Sequence, residues 1–503
     1  MSTAPRRPSS VPEPAAEQPG TGGRPSRVVV VGGGISGLAA AQRVAELRPD
    51  AEVLVLEGAD HVGGKLRRVE VAGVLVEVGA AAMLARRSEG LAAARAAGLG
   101  AELIHPRATG ALLRNRGHNR GLPARTLMGI PTDLDALSAA DVVSAATLAR
   151  IAAEPGNGPY PPLTADLAVA ELVGERFGDE VVDRLVDPLL GGVYAGQATE
   201  ISLEAALPNL AAVLMTSGGS LLEAATALVP PPASPSVSPG EQPPPAPVFA
   251  SVRGGMGRLA EAMGGGAIEV RLSTTVRGIR RDGQGFVLTI GPVPDASELA
   301  ADAVIVAVPA SKAATLLRDL VPAAASELSS VRAASMAIVT LAFAVDEDGR
   351  IGDRRLPAGS GILVPGVEGF EVKAMTFSSQ KWAELGDGAP IALLRASLGR
   401  AGEEATLQRT DEELTGTVRT ELAAITGLDA APVDRHVQRW GGALPQYEVG
   451  HLARVRRIRS AVAAVEGLAV CGATFDGVGI PACIASAHTA ADRVVSSLRR
   501  TGQ

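Results

Sequence analysis

From Arg27 the chain reads RVVVVGGGISGLAAA, four consecutive valines, three glycines and an alanine-rich run. An unbroken apolar run of this kind predicts a strand buried on both faces, and the Ala/Leu spacing after Gly34 predicts a helix lying close against it. Glu52–Leu56 repeats the strand pattern. Residues 66–71 and 74–78 alternate around Ala72-Gly73, which predicts a hairpin. Ser88 caps a helical run to Ala97, and 164–177 and 178–190 keep helical spacing until the glycines of 191–196 break it. After a Pro-rich stretch, Gly254-Gly255-Met256-Gly257 opens a helix, followed by strands at 268–272, 275–280 and 303–309. Four further runs, 337–345, 361–364, 371–377 and 391–398, predict a second sheet. A short strand at 468–471, a glycine-rich turn at 472–479 and a helix at 484–498 close the pattern.

The first strand, turn and helix form a dinucleotide cradle. In Gly32-x-Gly34-x-x-Gly37, Gly32 makes the tight turn, Gly34 leaves room for a pyrophosphate, and Gly37 and Ala41 let the helix approach the sheet. The phosphates then sit on a helix N-terminus. Glu57 ends the second strand twenty residues past Gly37, where a carboxylate accepts hydrogen bonds from an unphosphorylated ribose diol. A second glycine loop, Gly63-Gly64-Lys65, follows at once and turns Lys65 or Arg67 toward the phosphates, which favours a flavin over a nicotinamide. The hairpin delivers Glu77-Val78-Gly79 to the cofactor, and the strand, turn and helix after 468 can present backbone N–H groups to a flavin ring.

Composition narrows the partners. A chain of 503 residues exceeds one ordinary core, so two domains are expected. A net charge of -7 gives no reason to expect nucleic acid. Lys65, Lys312, Lys373 and Lys381 are the only lysines among 47 basic residues, an arginine and alanine bias typical of a GC-rich bacterial genome. Cys471 and Cys483 form no CxxC pair, so neither a disulfide scaffold nor a metal site is expected. Segment 1–26 has no apolar core, reads as disordered, and is neither signal peptide nor anchor. The longest uncharged stretch, 205–222, holds Pro208, Gly218 and Gly219, which argues against a membrane span. Mean hydropathy of +0.21 leaves peripheral membrane contact open. No Ser-His-Asp or HExxH arrangement calls for another chemistry.

The blocks GGGISGLAAA, GGKL, GDEVVDRLVDPLLGGVYAG, SVRGGM, RWGGALPQYEVGH and GATFDGVGIP together resemble the protoporphyrinogen/coproporphyrinogen oxidase family, FAD enzymes of haem biosynthesis that share their fold with monoamine oxidases. The resemblance implies an α/β architecture, with a Rossmann-like FAD-binding domain interleaved with a mixed α+β substrate domain and a helical section. The FAD-binding domain is expected in three parts, 27–85, 248–310 and 436–503. The helical section covers 86–228, a Pro-rich loop 229–247, and the substrate domain 311–435. The resemblance places FAD contacts at Gly32, Gly34, Ser36, Gly37, Glu57, Gly64, Lys65, Gly79, Val276, Trp440, Val478, Gly479 and Ile480. It places a substrate contact at Arg87.

The implied reaction is a six-electron oxidation of a porphyrinogen in three two-electron steps, with molecular oxygen as acceptor, hydrogen peroxide as product, no metal, and no catalytic residue beyond the flavin. Coproporphyrinogen III is favoured, because four carboxylates suit a site rich in arginine. Protoporphyrinogen IX, another enzyme on the amine-oxidase scaffold, and a non-catalytic FAD or tetrapyrrole binder are the alternatives. A cytoplasmic location is expected, and transfer of product to the next haem-pathway enzyme stays open. Ala80-Ala81-Ala82 stands where family members usually carry Gly-Pro and a polar or acidic residue, and Ala482 where many bacterial members carry Asp. His451 reads as a structural hydrogen-bonding residue, Tyr194 as a packing residue at a domain junction, and Trp440 and Tyr447 as either flavin contacts or core.

Overall fold

The structure, a computed structural model, describes residues 25–108, 110–230 and 247–501. The N-terminal segment and the Pro-rich stretch named above fall almost entirely outside these residues. Five parallel strands make the central sheet, in the spatial order Glu269–Arg271, Glu52–Leu56, Arg27–Val31, Ala303–Val306 and Leu468–Val470. Numbered along the chain that order is 3-2-1-4-5, the doubly wound arrangement, whose direction reverses beside the first strand. Three separate stretches of chain therefore build one sheet.

The four valines explain why this sheet needs two covers. Val28 and Val30 face one core with helices Ile35–Leu47 and Ile480–Thr501, while Val29 and Val31 face another. That second core holds Phe286 and Leu288 of a three-stranded antiparallel sheet, strands Val276–Asp282, Gly285–Ile290 and Ser297–Ala301. Alternate side chains of an extended strand point to opposite faces, so a strand apolar at every position is covered on both.

A seven-stranded sheet faces the cofactor end of the first unit. Its order is Asp434–Pro445, Ala333–Ala344, Ile391–Leu398, Val372–Phe377, Gly361–Leu363, Leu112–Asn115 and His118–Gly121. The last two strands come from the section read as helical. Their pattern, LLRN and HNRG around Arg116-Gly117, carries no apolar alternation. They join the sheet through the long-range parallel pairing of Leu112 with Ile362.

The helices of that section also depart from the sequence reading. The helix Asp187–Tyr194 runs through Gly191 and Gly192 instead of ending at Leu190, because Leu190 and Tyr194, four residues apart, are both buried. Their burial outweighs the poor helix propensity of glycine, and Ala195 in a left-handed conformation ends the helix.

Glu180 locks this helical section to the sheet. Its carboxylate accepts from the Ser144 amide at 3.0 Å, the Ser144 hydroxyl at 2.7 Å and the Thr147 hydroxyl, and it pairs with Arg116 in the hairpin turn. Burial opposes its ionisation, but the Thr147 and Ser144 hydrogen bonds and the Arg116 charge hold its carboxyl down at about 2. A carboxyl depressed on folding stabilises fully above its unfolded value, about 4.3, and loses that contribution as pH falls toward 2. Glu180→Gln is expected to destabilise the protein by about 1 to 3 kcal/mol at neutral pH. In thermal melts the gap from the parent should narrow progressively below about pH 4.

Candidate functional site

Where the first strand meets its helix, the backbone leaves no space for side chains. A Cβ on Gly37 would lie 1.8 Å from the Gly32 carbonyl oxygen, and one on Gly32, whose φ is +108°, would lie 2.7 Å from that of Ala307. Gly34 is different. The position of its missing Cβ has nothing within 4 Å, so it opens onto free space at the start of the helix. The second glycine loop lies alongside, with the Gly63 amide donating to the Gly33 carbonyl at 2.8 Å. Glu57 is fixed at the end of its strand, one carboxylate oxygen accepting from the Gly33 amide at 2.6 Å and the other from the Ala59 amide at 2.8 Å.

The opposite side is held from the second unit. Ala80 donates to the Lys65 carbonyl at 3.0 Å, which brings Gly79 so close that a Cβ there would lie 1.9 Å from that oxygen. Trp440 Nε1 donates to the Val78 carbonyl at 2.8 Å, and Arg395 Nη2 donates to the Gly79 carbonyl at 2.8 Å. The turn at 472–479 is shaped from below. The Tyr447 hydroxyl donates to the Ala473 carbonyl at 2.5 Å and accepts from the Gly477 amide at 2.8 Å. His451 Nε2 donates to the Thr474 carbonyl at 3.0 Å and its ring stacks on Tyr447 at 4.0 Å. Burial lowers the His451 pKa to about 4, so its ring is neutral, and burial raises the Tyr447 hydroxyl. Both act as supports for the turn, and Tyr194 packs on Tyr447 at 5.5 Å.

These walls enclose one cavity of about 910 Å³. Of the residues singled out from sequence, Gly32, Gly34, Ser36, Glu57, Gly64, Lys65, Gly79, Trp440, Val478, Gly479 and Ile480 line it together. Gly37 lies beneath it, against Gly32. Val276 does not line it and follows a loop whose Ser273 and Thr274 amides bond to the carbonyls of Ala59 and Glu57. Arg87 stands apart as well. It precedes the helix Ser88–Ala96 with its guanidinium bonded to Glu89 at 2.5 Å, so its charge is already balanced. Lining residues that no motif indicated include Met336, Ile338, Lys373, Lys381 and Arg395. A signal existed for three of them: the rarity of lysine, and a lone arginine inside the apolar strand Ile391–Leu398.

The cavity is electrically uneven. Burial lowers the Lys65 ammonium, which has no hydrogen-bond acceptor among the described residues. Burial also raises Glu77 to about 7, against the Gly257 amide and the Arg395 and Arg68 charges, and lowers Arg395 to about 10. A half-buried ammonium without an acceptor calls for an anion. The open space at Gly34, the N-terminus of the helix Ile35–Leu47 and Lys65 fit the pyrophosphate of FAD, and the Glu57 carboxylate fits a ribose.

A doubly wound domain whose cradle opens toward a large second sheet defines a dinucleotide-binding flavoprotein with its substrate space between two units. The sequence pattern described as flavin containing amine oxidoreductase matches residues 35–495, and the chain belongs to that family. It is an FAD-dependent oxidoreductase. The chain is 36% identical over 480 residues to a coproporphyrinogen III oxidase of Mycobacterium bovis, covering 94% of this chain and 98% of the relative. It is 30% identical to a coproporphyrinogen III oxidase of Bacillus subtilis, covering 91% and 95%. A crystal structure from Exiguobacterium sp. 255-15, provisionally named a protoporphyrinogen oxidase, superposes with a TM-score of 0.80 at 29% identity, over 94% of this chain and 99% of that one.

The two kinds of glycine separate in experiment. Gly37→Ala is expected to cost at least about 2 kcal/mol, because backbone rather than a movable side chain blocks the methyl, and to lower the melting temperature with or without added FAD. Gly34→Ala is expected to leave the melting temperature without FAD unchanged and to weaken FAD binding, read by flavin fluorescence. Tyr447→Phe strands the Gly477 amide and the Ala473 carbonyl, so about 1 to 3 kcal/mol of stability should be lost, with reduced FAD content after purification.

Proposed function

We propose that this flavoenzyme oxidises coproporphyrinogen III to coproporphyrin III, with molecular oxygen as the acceptor and hydrogen peroxide as the product. The observation that carries the reading is similarity along nearly the whole chain to relatives named for that reaction. The cavity supports it. Beyond the cofactor end it continues between the two units along a wall of Met336, Ile338 and Ala374, a low apolar surface suited to a flat macrocycle.

FAD, when bound, supplies a two-electron acceptor used three times for each macrocycle. The chain's own residues orient and enclose. Gly32, Gly34, Ser36 and Gly64 leave room at the helix N-terminus for the pyrophosphate, Lys65 neutralises it, and Glu57 accepts from the ribose. Gly79, Trp440, Val478, Gly479 and Ile480 border the place of the flavin ring, Trp440 being oriented by its hydrogen bond to Val78. Gly37 and Val276 act from outside the cavity, through the packing of the helix and of the loop beside Glu57. The alanines at 80–82 make the adjoining wall non-polar.

Among the described residues no helix is long and apolar enough to cross a membrane. Leu75, Val193 and Phe249 line the cavity and remain 52%, 40% and 40% exposed, a greasy rim that suits peripheral contact with a membrane or with the enzyme that takes the product. We place the activity in the cytoplasm. Protoporphyrinogen IX is the second reading, favoured by the name of the Exiguobacterium protein. An amine substrate is disfavoured, since Tyr194 and Tyr447 pack on each other beneath the turn and leave no tyrosine among the lining residues.

The test is direct. With coproporphyrinogen III and protoporphyrinogen IX supplied separately in air, porphyrin fluorescence should rise faster with the former, and three hydrogen peroxide molecules should accumulate per macrocycle. Faster turnover of protoporphyrinogen IX exchanges the two readings, and turnover of neither overturns both. Glu57→Ala is expected to weaken FAD binding by about 1.5 to 3 kcal/mol, the value of a hydrogen bond to a charged group, measured by titration of the FAD-free protein.

A further inference from the structure

Three of the chain's four lysines line this single cavity. Lys65 belongs to its cofactor end, whereas Lys373 and Lys381 stand on the wall formed by the second unit. We infer that Lys373 and Lys381 are the carboxylate anchors of the substrate, holding negatively charged arms at opposite edges of a flat apolar macrocycle. This rests on the porphyrinogen reading above.

The backbone sets their separation. Lys373 is the second residue of the strand Val372–Phe377, and Lys381 ends the short helix Ser378–Lys381 that follows it. Lys373 reaches the Gly399 carbonyl while Lys381 feels the charge of Arg395, four residues back along the neighbouring strand or about 13 Å, so the two lysines mark the two ends of the wall. Between them the sheet offers little relief. Ala374 lies opposite Ser397, which lies opposite Ile338 on the next strand.

Neither ammonium forms an ion pair among the described residues, although the more distant Glu403 charge favours Lys373. Lys381 has no hydrogen-bond acceptor and no carboxylate partner among the described residues. It lies 5.3 Å from the ring centre of Phe249 and 5.7 Å from that of Trp382, contacts that favour a cation but leave its N–H groups free. The Arg395 charge acts on it as well, so two like charges share that end of the cavity. Lys373 is 8% exposed and donates once, to the Gly399 carbonyl at 2.7 Å. The acids in the cavity are engaged elsewhere. Glu77 accepts from the Gly257 amide at 2.9 Å, and Glu384 accepts from the Gly254 amide at 3.2 Å.

Burial holds Lys373 down at about 8 and Lys381 below the usual lysine range, a cost that a carboxylate would offset. In a chain that uses arginine nearly everywhere, ammonium groups at these two points have a physical advantage. A compact donor on a flexible stem can follow a mobile carboxylate arm, where a guanidinium fork demands one plane.

The test uses the FAD-loaded protein with three probes: coproporphyrin III, its uncharged tetramethyl ester, and coproporphyrinogen III as substrate. Lys381→Gln and Lys373→Gln are each expected to raise the Kd for coproporphyrin III and the KM for coproporphyrinogen III by about ten-fold or more, with kcat within about three-fold of the parent. FAD content and the affinity for the tetramethyl ester should not change, and Lys381→Arg should recover most of the loss. Variants that bind coproporphyrin III like the parent, or that lose the acid and the ester equally, overturn the assignment. Should Lys373→Gln fail to hold FAD, Lys381→Gln, whose side chain is only partly buried, decides the matter. A parent that holds FAD yet neither binds coproporphyrin III nor oxidises coproporphyrinogen III overturns the substrate reading and the anchors with it. A parent that does both, with unaffected variants, overturns the anchors alone.

Discussion

The contact of the Gly37 backbone with the Gly32 carbonyl governs the rest of the molecule. No side chain fits between them, so the helix Ile35–Leu47 lies directly on the parallel sheet and its N-terminus points past the end of the first strand. The final helix, Ile480–Thr501, packs beside it in the same core and begins at the same edge of the sheet. Two positive helix ends are thereby aimed at one place, where the strand order reverses between Arg27–Val31 and Ala303–Val306. A wider spacing between helix and strand would move both ends away from that crevice.

The second unit completes the site through backbone carbonyls. Trp440 and Arg395, on different strands of the seven-stranded sheet, donate to the adjacent carbonyls of Val78 and Gly79. Those carbonyls end the hairpin Arg68–Val71 and Val74–Glu77, whose Val71 and Val76 pack with Ala342 and Leu393 of the same sheet. The hairpin is therefore a hinge of packing between the cofactor cradle and the substrate wall. Its Glu77, raised to about 7 by burial, and Arg395, lowered by it, each favour the charged form of the other.

The supports of the cofactor turn follow a similar logic. Tyr447 and His451 lie in one of the most distinctive sequence blocks, and neither is among the residues lining the cavity. Each satisfies a backbone group of the turn at 472–479, a segment whose glycines could otherwise take many conformations. Their neutral rings suit this role, because a charge at that depth would carry a desolvation cost.

The cradle was legible from the amino-acid sequence because all its parts are local. Four valines, the spacing of Gly32, Gly34 and Gly37, and Glu57 at the end of the next strand encode strand, turn and helix within thirty-one residues. The parallel strand runs and the glycine turn before the last helix were legible for the same reason. Long-range pairing decided the remainder. The polar strands Leu112–Asn115 and His118–Gly121 show no periodicity of their own and become strands by lying beside Gly361–Leu363. Arg87, beside Arg86, and Lys381 are both cations whose use the amino-acid sequence leaves undecided. Glu89, two residues on, offers Arg87 a carboxylate within its own local sequence, whereas only the tertiary structure sets Lys381, without a carboxylate partner among the described residues, against Phe249 and Trp382 in the cavity. The surroundings of Lys381 come from Phe249 and Arg395, distant in the chain, which no local pattern records, and so the cofactor half of the site could be read from the chain while the substrate half had to be folded first.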